Sequence, residues 1–144
     1  GLTLELVSNG DYYKWYEEEY KDYQSEYPQF KDLIPVNDKE EMDDCLNAGF
    51  LYWIKKDQEI IGIVGGAGED LLGVKAFYMY EIFLKKQFRG RGLAVPSQVL
   101  LLEKLKNQFN VIWGTIDAQN IPSMKTALKV GRHSIRDEYF LPIT

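Results

Sequence analysis

A chain of 144 residues is long enough for one packed core and too short for two independent ones, so a single domain over residues 1–144 is expected. Seventeen basic against 22 acidic residues give a formal net charge of −5, which speaks against a nucleic-acid partner. No apolar run approaches a membrane span and no charged-then-apolar leader is present, so the reading is a cytoplasmic protein with no membrane partner.

Leu2, Leu4 and Leu6 alternate with Thr3 and Glu5, the period of a half-buried first strand. Tyr12, Tyr16, Tyr20, Tyr23 and Tyr27 then recur at steps of three or four, which places five phenols on one face of a helix that Pro28 ends. Glu17, Glu18, Glu19, Asp22 and Glu26 fill much of the remainder. That composition suits a core face backed by a solvated acidic one, or a cleft wall receiving a cationic amine. Phe30, Leu33 and Ile34 anchor an irregular connection to a second helix, where Asn37 and Glu40 have capping-box spacing. Met42, Cys45 and Leu46 form its inner face and Gly49 its exit, which makes the lone Cys45 a core residue.

Phe50 to Ile54 and Glu59 to Gly66 read as a hairpin turning at residues 55–58. Gly65-Gly66-Ala67-Gly68 reads as a flexible connection, because Glu69 and Asp70 would repel an anion held there. The stretch from Tyr78 to Leu105 carries the most information. A strand from Tyr78 to Leu84 feeds a basic glycine turn, and a helix follows with an apolar stripe at Val95, Val99, Leu102 and Phe109. Glycines bring the backbone close, and unpaired N–H groups of a first helical turn point at an anion, so this is a place to hold a phosphate. Lys85, Lys86, Arg89 and Arg91 add positive charge. The P-loop pattern is absent, and the dinucleotide fingerprint lacks its third glycine, where Val95 stands.

Val111 to Ile116 reads as a buried strand, and Asp117, Asn120, Pro122 and Ser123 open a last helix carrying Met124, Ala127 and Leu128. Gly131 closes it, and Asp137 to Ile143 forms a final strand whose exposure would support a homodimer. The order β-α-α-β-β-β-α-β-α-β implies an α/β (α+β) protein with a mixed sheet and helices on both faces.

Gln87-Phe88-Arg89-Gly90-Arg91-Gly92-Leu93-Ala94 resembles the [QR]-x-x-G-x-[GA] acyl-coenzyme A loop of the GNAT superfamily of N-acetyltransferases, whose element order is the same. Asn120, Ser123 and Gly131 match a second family pattern, N-x-x-[AS] with Gly eleven residues after the Asn. The resemblance implies central strands that splay apart and an acetyl-coenzyme A arm lying in the opening. Ile82 and Leu84 would offer backbone groups to it, a backbone N–H near Phe83 would polarise the thioester, and residues Phe88 to Leu93 would hold the pyrophosphate. By the same resemblance Glu81, near the strand end, would take the proton of an amine acceptor, with Tyr78 and Tyr80 as alternatives. No metal is required.

Two departures stand out. The family commonly has a general-acid Tyr where this chain has Ala127, which leaves protonation of the thiolate to water or a phenol such as Tyr139. It commonly has Phe where this chain has Arg132. These changes motivate a competing expectation, a non-catalytic module that binds or senses acyl-coenzyme A. His133 has a suitable pKa for proton transfer but reads as a surface residue. The acceptor favoured by the acidic first helix is a cationic small molecule.

Overall fold

A computed structural model describes residues 1–28, 36–70 and 72–114. Its elements are β1 (Leu2–Leu6), α1 (Tyr12–Glu26), α2 (Lys39–Asn47), β2 (Leu51–Lys56), β3 (Glu59–Gly68), β4 (Ala76–Leu84), α3 (Ala94–Leu105) and β5 (Val111–Trp113). The five strands form one sheet in the order β1-β2-β3-β4-β5, antiparallel except for the β4–β5 pair. The expected last helix and strand, with Asn120, Ser123, Ala127, Arg132, His133 and Tyr139, lie outside the described residues, as do Phe30, Leu33 and Ile34.

Each face of the sheet has its own core. On one, Tyr12, Tyr16, Tyr20 and Tyr23 of α1 and Met42 and Cys45 of α2 pack on Leu51, Ile63 and Phe83. Four of the five phenols thus turn inward as their spacing predicts, while Tyr27 caps the helix and is exposed. Burial pushes the Cys45 thiol up to about 11, in keeping with a core residue rather than a nucleophile. On the opposite face Leu101 and Leu105 of α3 pack on Leu4, Ile54, Ile61, Val64 and Phe77.

The phase of α3 differs from the expected stripe. Val99 and Leu102 are 46% and 40% exposed, whereas Ser97, Gln98, Leu101 and Leu105 are buried. Four consecutive apolar residues, Val99 to Leu102, give no preferred face by hydrophobicity, so the start of the helix sets the rotation. Ser97 tolerates burial because its hydroxyl donates to the Leu93 carbonyl at 2.7 Å. Phe109 lies beyond the helix and packs edge-on against Phe50 and Phe77.

The expected cap of α2 is also displaced by one residue. Asp38, not Asn37, accepts the Glu41 N–H at 2.9 Å, with Glu40 and Glu41 in the first turn. Among the described residues, no helix is long and apolar enough to cross a membrane.

Candidate active site

The site is organised by one irregularity in β4. Ile82 pairs with Val64 and Glu81 with Gly65, but the next partner, Gly66, faces Met79, so Tyr80 is an extra residue. Alternation is thereby broken at one point. Phe77, Met79, Ile82 and Leu84 belong to the α3 side, while Tyr80 and Phe83 pack on the α1–α2 side, where the Glu81 carboxylate also meets α1. Two consecutive side chains, Tyr80 and Glu81, therefore share a face.

The glycines expected to form a loop are part of this device. Gly65, Gly66 and Gly68 lie within β3, a continuous strand. A Cβ on Gly66 would stand 2.0 Å from the Tyr78 carbonyl oxygen and 2.7 Å from the Phe77 ring, so the strands close here only over a residue without a side chain.

β5 pairs with Ala76 to Tyr78 alone. Among the described residues no strand pairs with the rest of that edge of β4. The Lys85 N–H donates to the Ile61 carbonyl at 2.8 Å, so strand alternation turns the backbone groups of Phe83 towards β3 and those of Ile82 and Leu84 outward. The Leu84 carbonyl accepts the Arg89 Nε–H at 2.9 Å, and the Ile82 N–H lies against the Glu81 carboxylate.

Glu81 sits where the bulge and the open edge meet. Its Oε2 accepts the Tyr16 hydroxyl at 2.6 Å and the Asn37 Nδ2–H at 3.1 Å. The Tyr16 oxygen in turn accepts the Asn37 backbone N–H at 3.2 Å. Burial holds the Glu81 carboxyl above the ordinary carboxylate range, against the opposing pull of the Tyr16 hydrogen bond, the Arg89 charge and the Ile82 N–H. Burial and the same carboxylate push the Tyr16 phenol well above its usual value, so it donates and does not ionise. Sequence reasoning reached Glu81 but missed Tyr16 and Asn37, which it assigned to the core and to a helix cap. The one available signal was the Asn37-Asp38 pair, of which only one can cap α2. Tyr78 and Tyr80 line the same region with ring centroids 6.2 Å apart, and Trp113 of β5 packs on Tyr78 at 4.7 Å.

After β4 the chain makes a 3-10 turn at Lys86–Phe88 and passes through Gly90 and Gly92, at φ +74° and +73°, into α3. Among the described residues nothing lies within 4 Å of where a Cβ would stand on either glycine. Leu93 supplies no side-chain cap, and the first helical bond runs from the Ser97 N–H to the Leu93 carbonyl. The N–H groups of Leu93, Ala94 and Val95 therefore have no acceptor within the helix, and Pro96 has no N–H. Gln87 and Phe88 belong to the 3-10 turn ahead of this cradle.

The four cations near the turn have different positions from the cluster expected. Lys86 pairs with Glu26 at 3.1 Å and Asp22 at 3.5 Å, and Lys85 with Glu19 at 4.0 Å. The Arg89 guanidinium lies 3.9 Å from the centre of the Tyr23 ring and 5.0 Å from that of Phe83. Arg91, over Phe88 at 5.3 Å, makes no ion pair among the described residues. Part of the acidic face of α1 is thus engaged with the turn.

The fold has counterparts among known proteins. The model of the acetyltransferase (GNAT) family matches residues 10–131. Among curated proteins no sequence matches the chain. Solved structures with the same fold include an aminoglycoside acetyltransferase from an uncultured soil metagenomic sample, in complex with sisomicin, at 12% identity and TM-score 0.64, covering 99% of this chain and 95% of that one. The ribosomal-protein-alanine N-acetyltransferase of Brucella melitensis biovar Abortus 2308 is 16% identical at TM-score 0.63, with 99% of both chains covered. AAC(6')-Iy, in complex with a bisubstrate analogue joining coenzyme A to acetylneamine, is 15% identical at TM-score 0.61, covering 100% of this chain and 99% of that one. The bulged strand, the glycine turn and the match over residues 10–131 lead to one assignment: the chain belongs to the GNAT family of acetyltransferases.

Proposed function

We propose that this protein moves an acetyl group from acetyl-coenzyme A directly onto a primary amine of a cationic small molecule or peptide, with Glu81 receiving the amine proton. The observation that carries the reading is a half-buried carboxylate, desolvated enough to raise its pKa, set by a bulge beside an edge of β4 along which no strand pairs among the described residues. The residues present suit the donor. Gly90 and Gly92 leave room for a diphosphate against the free N–H groups of Leu93, Ala94 and Val95, and the edge of β4 can pair with an extended amide-bearing arm. Arg91 adds a charge beside the turn. The thioester supplies an activated acyl carbon and a sulfur leaving group.

The amine must first lose a proton. An alkylamine of pKa about 10.4 lies roughly 3.4 units above neutrality, so deprotonation at pH 7 costs about 4 to 5 kcal/mol. A carboxylate raised towards neutrality is a better-matched acceptor than an ordinary surface Glu. The nitrogen lone pair forms the bond to the acyl carbon, the carbon–sulfur bond breaks with its electron pair on sulfur, and Glu81 holds the amine proton directly or through water. The thiolate, with a pKa of about 8.5, takes a proton from solvent or a phenol, for which Tyr80 and Tyr139 are the candidates. The aminoglycoside acetyltransferases of the same fold support a polycationic acceptor.

Release of free thiol from acetyl-coenzyme A across a panel of amines tests the reading. Turnover with at least one amine is expected, and Glu81→Gln should reduce it most near neutral pH. Binding of coenzyme A without turnover for any amine would replace this reading by the non-catalytic acyl-coenzyme A module.

A further inference from the structure

The connection between α1 and α2 reaches the proposed base directly. Tyr16 is fully buried on α1, between the rings of Tyr20 at 5.6 Å and Phe83 at 5.9 Å, and its hydroxyl points at Glu81. Asn37 stands just before α2 and is pinned twice to α1. Its carbonyl accepts the Tyr13 hydroxyl at 2.8 Å, and its N–H donates to Tyr16. Relieved of capping by Asp38, its side chain is free to reach β4. Across from Glu81 on β3 stands Gly65, which contributes no side chain.

Resting on the assignment of Glu81 as base, we infer that Tyr16 and Asn37 are positioning residues. They anchor Oε2 of Glu81 and so keep the carboxylate at the bulge, in the orientation and charge state that accepting a proton requires. Both groups donate, and a donor stabilises the ionised carboxylate over the acid. Without them burial would hold the proton on Glu81, and the base would be unusable at neutral pH. Among the described residues the charged or titratable groups facing Glu81 are Tyr16 and Tyr20 of α1 and Arg89 of the turn; Asn37 carries no charge. Arg89 pulls in the same direction as the two donors but through its charge alone, with no hydrogen bond to the carboxylate among the described residues. A purely structural role for Tyr16 and Asn37 would lower the amount of folded enzyme without moving any titration.

The test pairs a carboxyl-carbon NMR titration of Glu81 in the protein alone with the pH profile of kcat/KM for a reactive amine. Glu81→Gln assigns the resonance and should remove the acidic limb of the profile. Tyr16→Phe keeps the ring and loses the donor. It should raise the Glu81 pKa by about one unit or more and move the limb upward equally, so that activity falls about tenfold below the limb and recovers at high pH. Asn37→Ala should move both in the same sense by less, and it gives the same readout if Tyr16→Phe does not fold. If the Glu81 pKa and the limb stay in place in both variants while Glu81→Gln removes the limb, the positioning role is overturned and the base assignment stands. If Glu81→Gln keeps the limb, the base assignment is overturned and this inference falls with it.

Discussion

Tyr80 and Glu81 are neighbours in sequence and project from the same face of the sheet, because Met79 faces Gly66 while Glu81 faces Gly65. The bulge is what brings a carboxylate and a phenol to one opening, and it closes over a residue with no Cβ. Gly66→Ala should therefore destabilise the protein by about 2 to 3 kcal/mol, read as a lower urea midpoint. A change well under about 1 kcal/mol would mean that β3 and β4 can shift apart without cost.

The glycine turn makes a second, separable prediction. Asn and Asp both tolerate positive φ, so Gly90→Asn and Gly90→Asp should fold alike. Only Asp places a negative charge beside the helix start. By calorimetry its affinity for coenzyme A should be at least about tenfold weaker than that of the Asn variant, and equal affinities would locate the diphosphate elsewhere.

Glu81 also has a signature in stability. Its folded pKa is raised above the unfolded value, so the ionised form is disfavoured by folding. The protein is fully stabilised with respect to this group below about pH 4 and loses that contribution as pH rises through the folded pKa. A neutral amide at this position has no such loss. The stability of Glu81→Gln minus that of the native chain should increase from about pH 4 upward and level off once Glu81 is ionised, as followed by denaturation midpoints over a pH series.

Asp38→Ala should cost about 1 kcal/mol and lower the helical circular dichroism, because it leaves the Glu41 N–H without its acceptor. An unchanged melting temperature would indicate that Asn37 can take over the cap.

Periodicity carried most of the fold that the sequence revealed. The tyrosine spacing gave the buried face of α1, which buries one side only, while the hairpin and β4 were legible from apolar, aromatic and β-branched runs bounded by turn residues, since both faces of these strands are covered. The rotation of α3 was not legible, since Val99 to Leu102 are apolar all round. The bulge escaped for a different reason: Gly65 and Gly66 lack side chains whether they line a loop or let two strands touch, and only the partner strand distinguishes the cases. Glu81 was a candidate only through the family resemblance, which places an acidic residue near this strand end. Tyr16 and Asn37 could not be picked out, because their partner is 65 and 44 residues away in sequence.

The ion pairs between the turn and α1 bear on how ionic strength should act. Lys85 and Lys86 answer to Glu19, Asp22 and Glu26, and Arg89 is stacked beneath the surface on Tyr23. Two of the four basic residues that the sequence displays are thus paired before any anion arrives, which leaves Arg91 as the cation beside the turn with no ion pair among the described residues. Recognition of a diphosphate would then rest on fixed backbone dipoles at short range, which mobile salt screens poorly. Affinity for coenzyme A should decline only shallowly between low and moderate salt, whereas an unpaired cluster of four cations would make it fall steeply.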